Sequence, residues 1–237
     1  MLRFFKKTDL LRELKDKRVA CLQQALPDSI KNNLRQPIPD KNTPFRALSF
    51  LVVDFETTGV EAETSDILSI GWIEISNMQI DFASQRHFYI NNGQYINHET
   101  AVINHIVPQM VHHGVNLAEA IDILLDHAKG KILVVHGKVI EKRFLDCYAQ
   151  KNLQLPELPL IWLDTLNIER WRTMKMEAKI DQDTSLSSVR KRYNLPQYSA
   201  HNALIDSIAA AELLLAQVAN IYRDRNVTFE QLYGISQ

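Results

Sequence analysis

The sequence predicts an α/β fold, a mixed five-stranded sheet flanked by helices with an N-terminal helical extension. Three observations predict it. The run Phe50-Leu51-Val52-Val53 is apolar at every position and bounded by turn chemistry, the pattern of a strand buried on both faces at the centre of a sheet. Residues 67–75 and 81–90 have the mixed alternation of two further strands, with Ser76-Asn77 near the turn between them. From residue 117 onward helical and strand periodicities alternate, as expected when helices cover the faces of a sheet.

Taken in order, the chain divides into an extension over residues 1–46 and a main domain over 47–237. The extension carries eleven Lys and Arg against five Asp and Glu, a net charge of +6, which leaves −7 on the remainder. Leu11, Leu14, Cys21 and Leu22 recur at helical spacing, so an amphipathic helix with a basic outer face is expected from Asp9 to Ala25. Pro27, Pro37, Pro39 and Pro44 then give the chain the character of a linker. The helix either packs on the main domain or serves as an arm for nucleic acid or a protein partner.

After the three strands, apolar spacing predicts helices over 99–110 and 117–128. A short buried strand follows at 131–135, then a helix marked by Phe144, Leu145 and Tyr148, a fifth strand at 160–163, and a helix over 165–171. Residues 173–184 are polar and irregular. Helices are expected again over 185–193 and 202–221, the latter rich in Ala and Leu, with a short final helix near the C-terminus.

Composition narrows the classes of function. With 27 Lys and Arg, 28 Asp and Glu and a formal net charge of −1, no global basic field exists to gather long nucleic acid, so any such contact is local. Cys21 and Cys147 form no paired motif, which argues against a disulfide framework or zinc site and for a reducing compartment. The first residues, Met1-Leu2-Arg3-Phe4, lack the apolar core of a signal peptide. A cytoplasmic protein without membrane contact is the expectation.

The candidate chemistry begins at the end of the first strand. Side chains two apart share a strand face, so Asp54 and Glu56 lie side by side with Phe55 pointing away. Like charges held that close favour a cation between them, and oxygen-only ligands suit Mg²⁺ or Mn²⁺. Glu141 forms an i, i+3, i+4, i+7 set with Phe144, Leu145 and Tyr148, which puts a carboxylate beside an apolar helix face where it needs a partner. Asp206 shares a helical row with Ala209, Ala210 and Leu213 and so aims inward, with small neighbours leaving room. His201, five residues earlier, joins Asp206 only if it lies in the loop before the first turn, beside an N-cap Asn202.

The segments Asp54-Phe55-Glu56-Thr57-Thr58-Gly59, His136-Gly137-Lys138-Val139-Ile140-Glu141 and His201-Asn202-Ala203-Leu204-Ile205-Asp206 resemble, in order, the three motifs of the DEDDh (DnaQ-like) exonuclease superfamily, most closely in the style of the epsilon proofreading group of DNA polymerase III. The resemblance spans roughly residues 50–218. It implies an RNase-H-like fold that gathers the carboxylates at one sheet edge. It further implies two Mg²⁺ or Mn²⁺ ions held by Asp54, Glu56 and Asp206 with Glu141, and a general base at His201, a residue type whose unperturbed pKa of roughly 6.5 suits that work. Thr57 and Thr58 match residues of a terminal-nucleotide pocket, and Glu99 and Asn104 fall in a stretch similar to the family's substrate element. This chain departs from the pattern at Glu141, where Asp is usual, at Gly137 and Ile140, where Asn and Phe are usual, and at Asn104-His105, where His-Gly is usual. His112 and His113 match nothing and are expected at the surface.

Taken together, the residues and the resemblance lead to a metal-dependent 3′–5′ exonuclease acting on single-stranded or frayed 3′ ends, DNA in preference to RNA, with a polymerase as a candidate partner. An exoribonuclease of short RNA is the alternative within the enzyme class. A binding module of the same fold is the alternative outside it, and it is disfavoured because Asp54, Glu56, His201 and Asp206 are all present.

Overall fold

The computed structural model describes residues 10–91, 106–176, 183–222 and 227–237. Its frame is a five-stranded sheet in the order β3-β2-β1-β4-β5, formed by β1 (Phe50–Thr57), β2 (Ile67–Ser76), β3 (Gln79–Tyr89), β4 (Ile132–Val135) and β5 (Trp162–Asp164). β1 is central, antiparallel to β2 and parallel to β4. Phe50, Leu51, Val52 and Val53 are buried on both faces, which is why the strand reads as an unbroken apolar run. The β2–β3 turn is taken by Asn77 and Met78, both at positive φ, the tight hairpin geometry that matches strand twist.

Among the described residues, nine α-helices surround the sheet: α1 (Leu10–Cys21), α2 (Asp28–Leu34), α3 (Pro108–His112), α4 (Leu117–His127), α5 (Val139–Leu153), α6 (Thr165–Lys175), α7 (Leu186–Arg192), α8 (Ala203–Tyr222) and α9 (Phe229–Ile235). One face of β1, through Leu51, Val53 and Phe55, packs with α2, α4 and α5. The other, through Phe50 and Val52, packs with α8 and α9. α8 is long and apolar enough to cross a membrane, and here its apolar face lies on β1 and β2.

Several expectations change. The proline-bounded stretch contains α2, whose Ile30 and Leu34 are buried against α4. Pro27 precedes its first turn rather than marking open linker, since proline fits a helix start where the N–H has no helical partner. The basic face of α1 is interrupted by Arg18, which is buried and donates to the carbonyls of Pro159 and Gln36. The fifth strand begins at Trp162 rather than Leu160, and α6 runs on to Lys175. Of the helix expected over 99–110, residues 99–105 lie outside the described residues, and α3 occupies Pro108–His112.

Candidate active site

The end of β1 and the start of α8 build the site together. β1 sets Asp54 and Glu56 on one face while Phe55 enters the core, and a register shift between Glu56 and Thr57 ends the regular ladder there. Asp54 pairs across the ladder with Gly71 of β2. A Cβ on Gly71 would lie 2.2 Å from the backbone nitrogen of Leu204, so the first turn of α8 crosses the sheet backbone to backbone at the point next to Asp54. That crossing carries Asp206 across. Oxygen atoms of Asp54, Glu56 and Asp206 lie within 4.8 Å of one another, a group able to hold a divalent cation.

The loop before α8 is fixed by the same carboxylate. His201 sits ahead of the first turn at φ 66°, and its backbone N–H donates to Asp206 Oδ2 at 2.9 Å, with that of Asn202 at 3.3 Å. Asn202 Oδ1 accepts from the N–H of Ile205, the N-cap expected of it. The His201 side chain is therefore held at the exposed mouth of the site by its own backbone.

The electrostatics are those of an acidic cluster withdrawn from water. Burial, followed by the nearby carboxylates of Glu141, Asp206 and Glu56, pushes Asp54 well above the usual carboxylate range. Burial and Asp206 push Glu56 up to about 7. Asp206 is also raised by burial, against the pull of the His201 and Asn202 N–H groups. Glu141 lies outside the close trio, 5% exposed on the first turn of α5; burial first, and the charges of Asp164 and Glu56, raise it to about 8. Its Oε2 is buried and finds no hydrogen-bond partner among the described residues. Oxygen-only donors, upward-shifted carboxyls and an orphaned buried oxygen fit a divalent cation, which would relieve the last two.

The remaining sequence candidates are placed as follows. Thr57 Oγ1 donates to the carbonyl of Gly59 at 2.7 Å, and Thr58 Oγ1 accepts from the N–H of Asp66, so both hydroxyls take part in the loop after β1. Glu99 and Asn104 lie outside the described residues. His112 and His113 are exposed, as expected.

Four contributors carry no motif signal of their own. Gly71 admits α8. Asp164 ends β5, caps α6 through Leu166, and accepts from the N–H groups of Gly137 and Lys138, fixing the loop that leads to Glu141. Arg190 and Tyr198, together with Asp54, His136, His201 and Asp206, line a groove of about 170 Å³ over the site. An N-cap Asp after a buried run is a usable signal for Asp164, and a glycine inside an Ile-rich strand is one for Gly71; nothing local marks Arg190 or Tyr198.

Residues 51–214 match the family model described as exonuclease, RNase T. Among curated proteins, a PolC-type DNA polymerase III of Thermotoga petrophila is 28% identical over 175 residues, 73% of this chain and 12% of that protein. The 3′-5′ exonuclease DinG of Staphylococcus aureus is 26% identical over 194 residues, 80% of this chain and 20% of that protein. The chain thus spans a fifth or less of the length of these two relatives. Among solved structures, the nuclease domain of 3′hExo, a DEDDh family member bound to rAMP, superposes with a TM-score of 0.62 at 15% identity over 79% of this chain and 100% of that one, which shows the shared RNase-H-like fold. With the family model covering most of the chain, the protein belongs to the RNase T exonuclease family, within the DEDD superfamily of 3′–5′ exonucleases.

Proposed function

We propose that the chain is a metal-dependent 3′–5′ exonuclease that releases nucleoside 5′-monophosphates from single-stranded or frayed DNA ends. The observation that carries the reading is the approach of Asp54, Glu56 and Asp206 oxygens to within 4.8 Å, with His201 tied by its backbone to Asp206. When bound, two Mg²⁺ or Mn²⁺ ions neutralise charge on the scissile phosphate and make the attacking water more acidic. Asp54, Glu56 and Asp206 hold them, and Glu141 supplies a fourth carboxylate beside Asp54. His201 takes the proton from the attacking water; its exposed position lets that proton pass to solvent between turnovers. Thr57, Thr58, Glu99 and Asn104 contact the terminal nucleotide.

The near-neutral charge supports a reader of the last few nucleotides rather than a wrapper of duplex. The PolC-type relative supports DNA, and a polymerase as the working partner. The neighbour bound to rAMP supports the second reading, an exoribonuclease of short RNA. The buried free thiols of Cys21 and Cys147 suit a cytoplasmic setting.

Matched 5′-labelled single-stranded DNA and RNA, incubated with Mg²⁺, with Mn²⁺ and with EDTA, test this directly. The expected result is a metal-dependent ladder shortening from the 3′ end, faster on DNA, and lost in Asp54→Ala. Faster RNA decay would move the assignment to the exoribonuclease. Inertness of well-folded protein on both strands would leave the binding module, and full activity of Glu141→Ala would remove Glu141 from the site.

A further inference from the structure

We infer that Tyr198 is a stacking platform for a nucleobase of the substrate strand, beside the scissile phosphate. The inference rests on the nuclease reading above and concerns how the strand is gripped. Tyr198 lines the groove shared by Asp54, His201 and Asp206, and at 39% exposure it is a large aromatic side chain open to solvent on the loop before α8. Two contacts fix its ring. The hydroxyl donates to Glu212 Oε1 at 2.9 Å, and the Arg190 guanidinium carbon lies over the ring, 4.7 Å from its centroid.

Arg190 is itself held through both terminal guanidinium nitrogens. Only 2% exposed, it donates to the carbonyls of Ala209 and Pro196 and to Glu212 Oε2. A cation so thoroughly engaged is built into the wall, where it serves as a backing for the tyrosine rather than as a mobile clamp for phosphate. The ring is thereby pre-organised, and docking against it costs little further rotamer freedom. Every base offers a π-face, so such a platform grips a strand without reading its sequence. That tolerance is what an exonuclease working through successive nucleotides requires. Leu186, Ala200 and Ala209 line the same groove and add apolar contact.

The test compares wild type, Tyr198→Ala and Tyr198→Phe on single strands that are intact or carry an abasic residue at the last or the penultimate position. Binding is followed by fluorescence anisotropy in Ca²⁺ without turnover, and hydrolysis in Mg²⁺. Wild type should bind the intact strand about tenfold more tightly than one of the two abasic strands. Tyr198→Ala should lose that discrimination, with KM raised about tenfold and kcat within about twofold, while Tyr198→Phe keeps the ring and the discrimination. Retained discrimination in Tyr198→Ala overturns the inference. So does equal loss in both variants accompanied by a fall in Tm, which would make Tyr198 a brace for Arg190 and Glu212. Wild-type protein that shortens neither strand would instead defeat the nuclease reading itself.

Discussion

Glu56 and Glu141 are raised to about 7 and about 8, against roughly 4.3 for glutamate in an unfolded chain. Between those values the native state binds more protons than the unfolded one, so stability falls as pH rises. The contribution is fully present below about pH 4 and is lost as pH climbs through 7 and then 8. In EDTA, Tm should therefore decline between about pH 4.5 and pH 8, and less steeply in Glu56→Gln. Mg²⁺ or Mn²⁺ should restore Tm most at the alkaline end, where the carboxylates are ionised and most in need of a counter-charge. Parallel slopes for wild type and variant in differential scanning fluorimetry would show that Glu56 does not titrate with folding. Strand alternation made Asp54 and Glu56 legible as a same-face pair and a helical row made Asp206 legible as inward, while their joint role came from the three-motif resemblance. Arg190 and Tyr198 were not legible, because their roles depend on Glu212, Pro196 and Ala209, which no local pattern links to them.

At the scale of elements, the approach of α8 to β2 at Gly71 sets the distance between Asp54 and Asp206. In Gly71→Ala, the new methyl meets the backbone of Ala203 and Leu204, which has no rotamer by which to yield. The helix must lift, and a displacement of about 1 Å in a positioned site costs on the order of 100-fold in rate. We expect kcat/KM to fall by about that factor while circular dichroism still reports a folded protein. Gly234→Ala in α9, where an added Cβ meets nothing within 4 Å, is the control and should leave activity unchanged. Gly71 stood in the sequence inside a strand otherwise rich in Ile, a usable hint of close backbone approach. Which element approached it depended on the tertiary fold. β1 was readable as an unbroken apolar run, and β2, β3 and helices α4, α5 and α8 because each carries a recognisable period. α2 was not, since its seven residues sit among prolines that read as breakers.

Across the whole molecule, the segment before β1 belongs to the packing of the sheet. Cys21, Leu26, Ile30 and Leu34 share a core with Leu51, Val53 and Phe55, on the β1 face opposite the one that bears Asp54. Ile30→Ala should cost about 2–5 kcal/mol in urea unfolding, the range for emptying a buried aliphatic site. A cost under about 0.5 kcal/mol, the size of an ordinary surface substitution, would make α2 an ornament of the fold. The crossing of α8 over Gly71 also orders events in time. Asp54 and Asp206 are separated by about 150 residues of chain, so no ribosome-bound fragment that stops short of α8 can own the acidic trio. The sheet can form first and remain harmless to the nucleic acid around it. On the proposed nuclease reading, hydrolysis requires the last long helix to be seated, and the return of activity during refolding should be a clock for that one step.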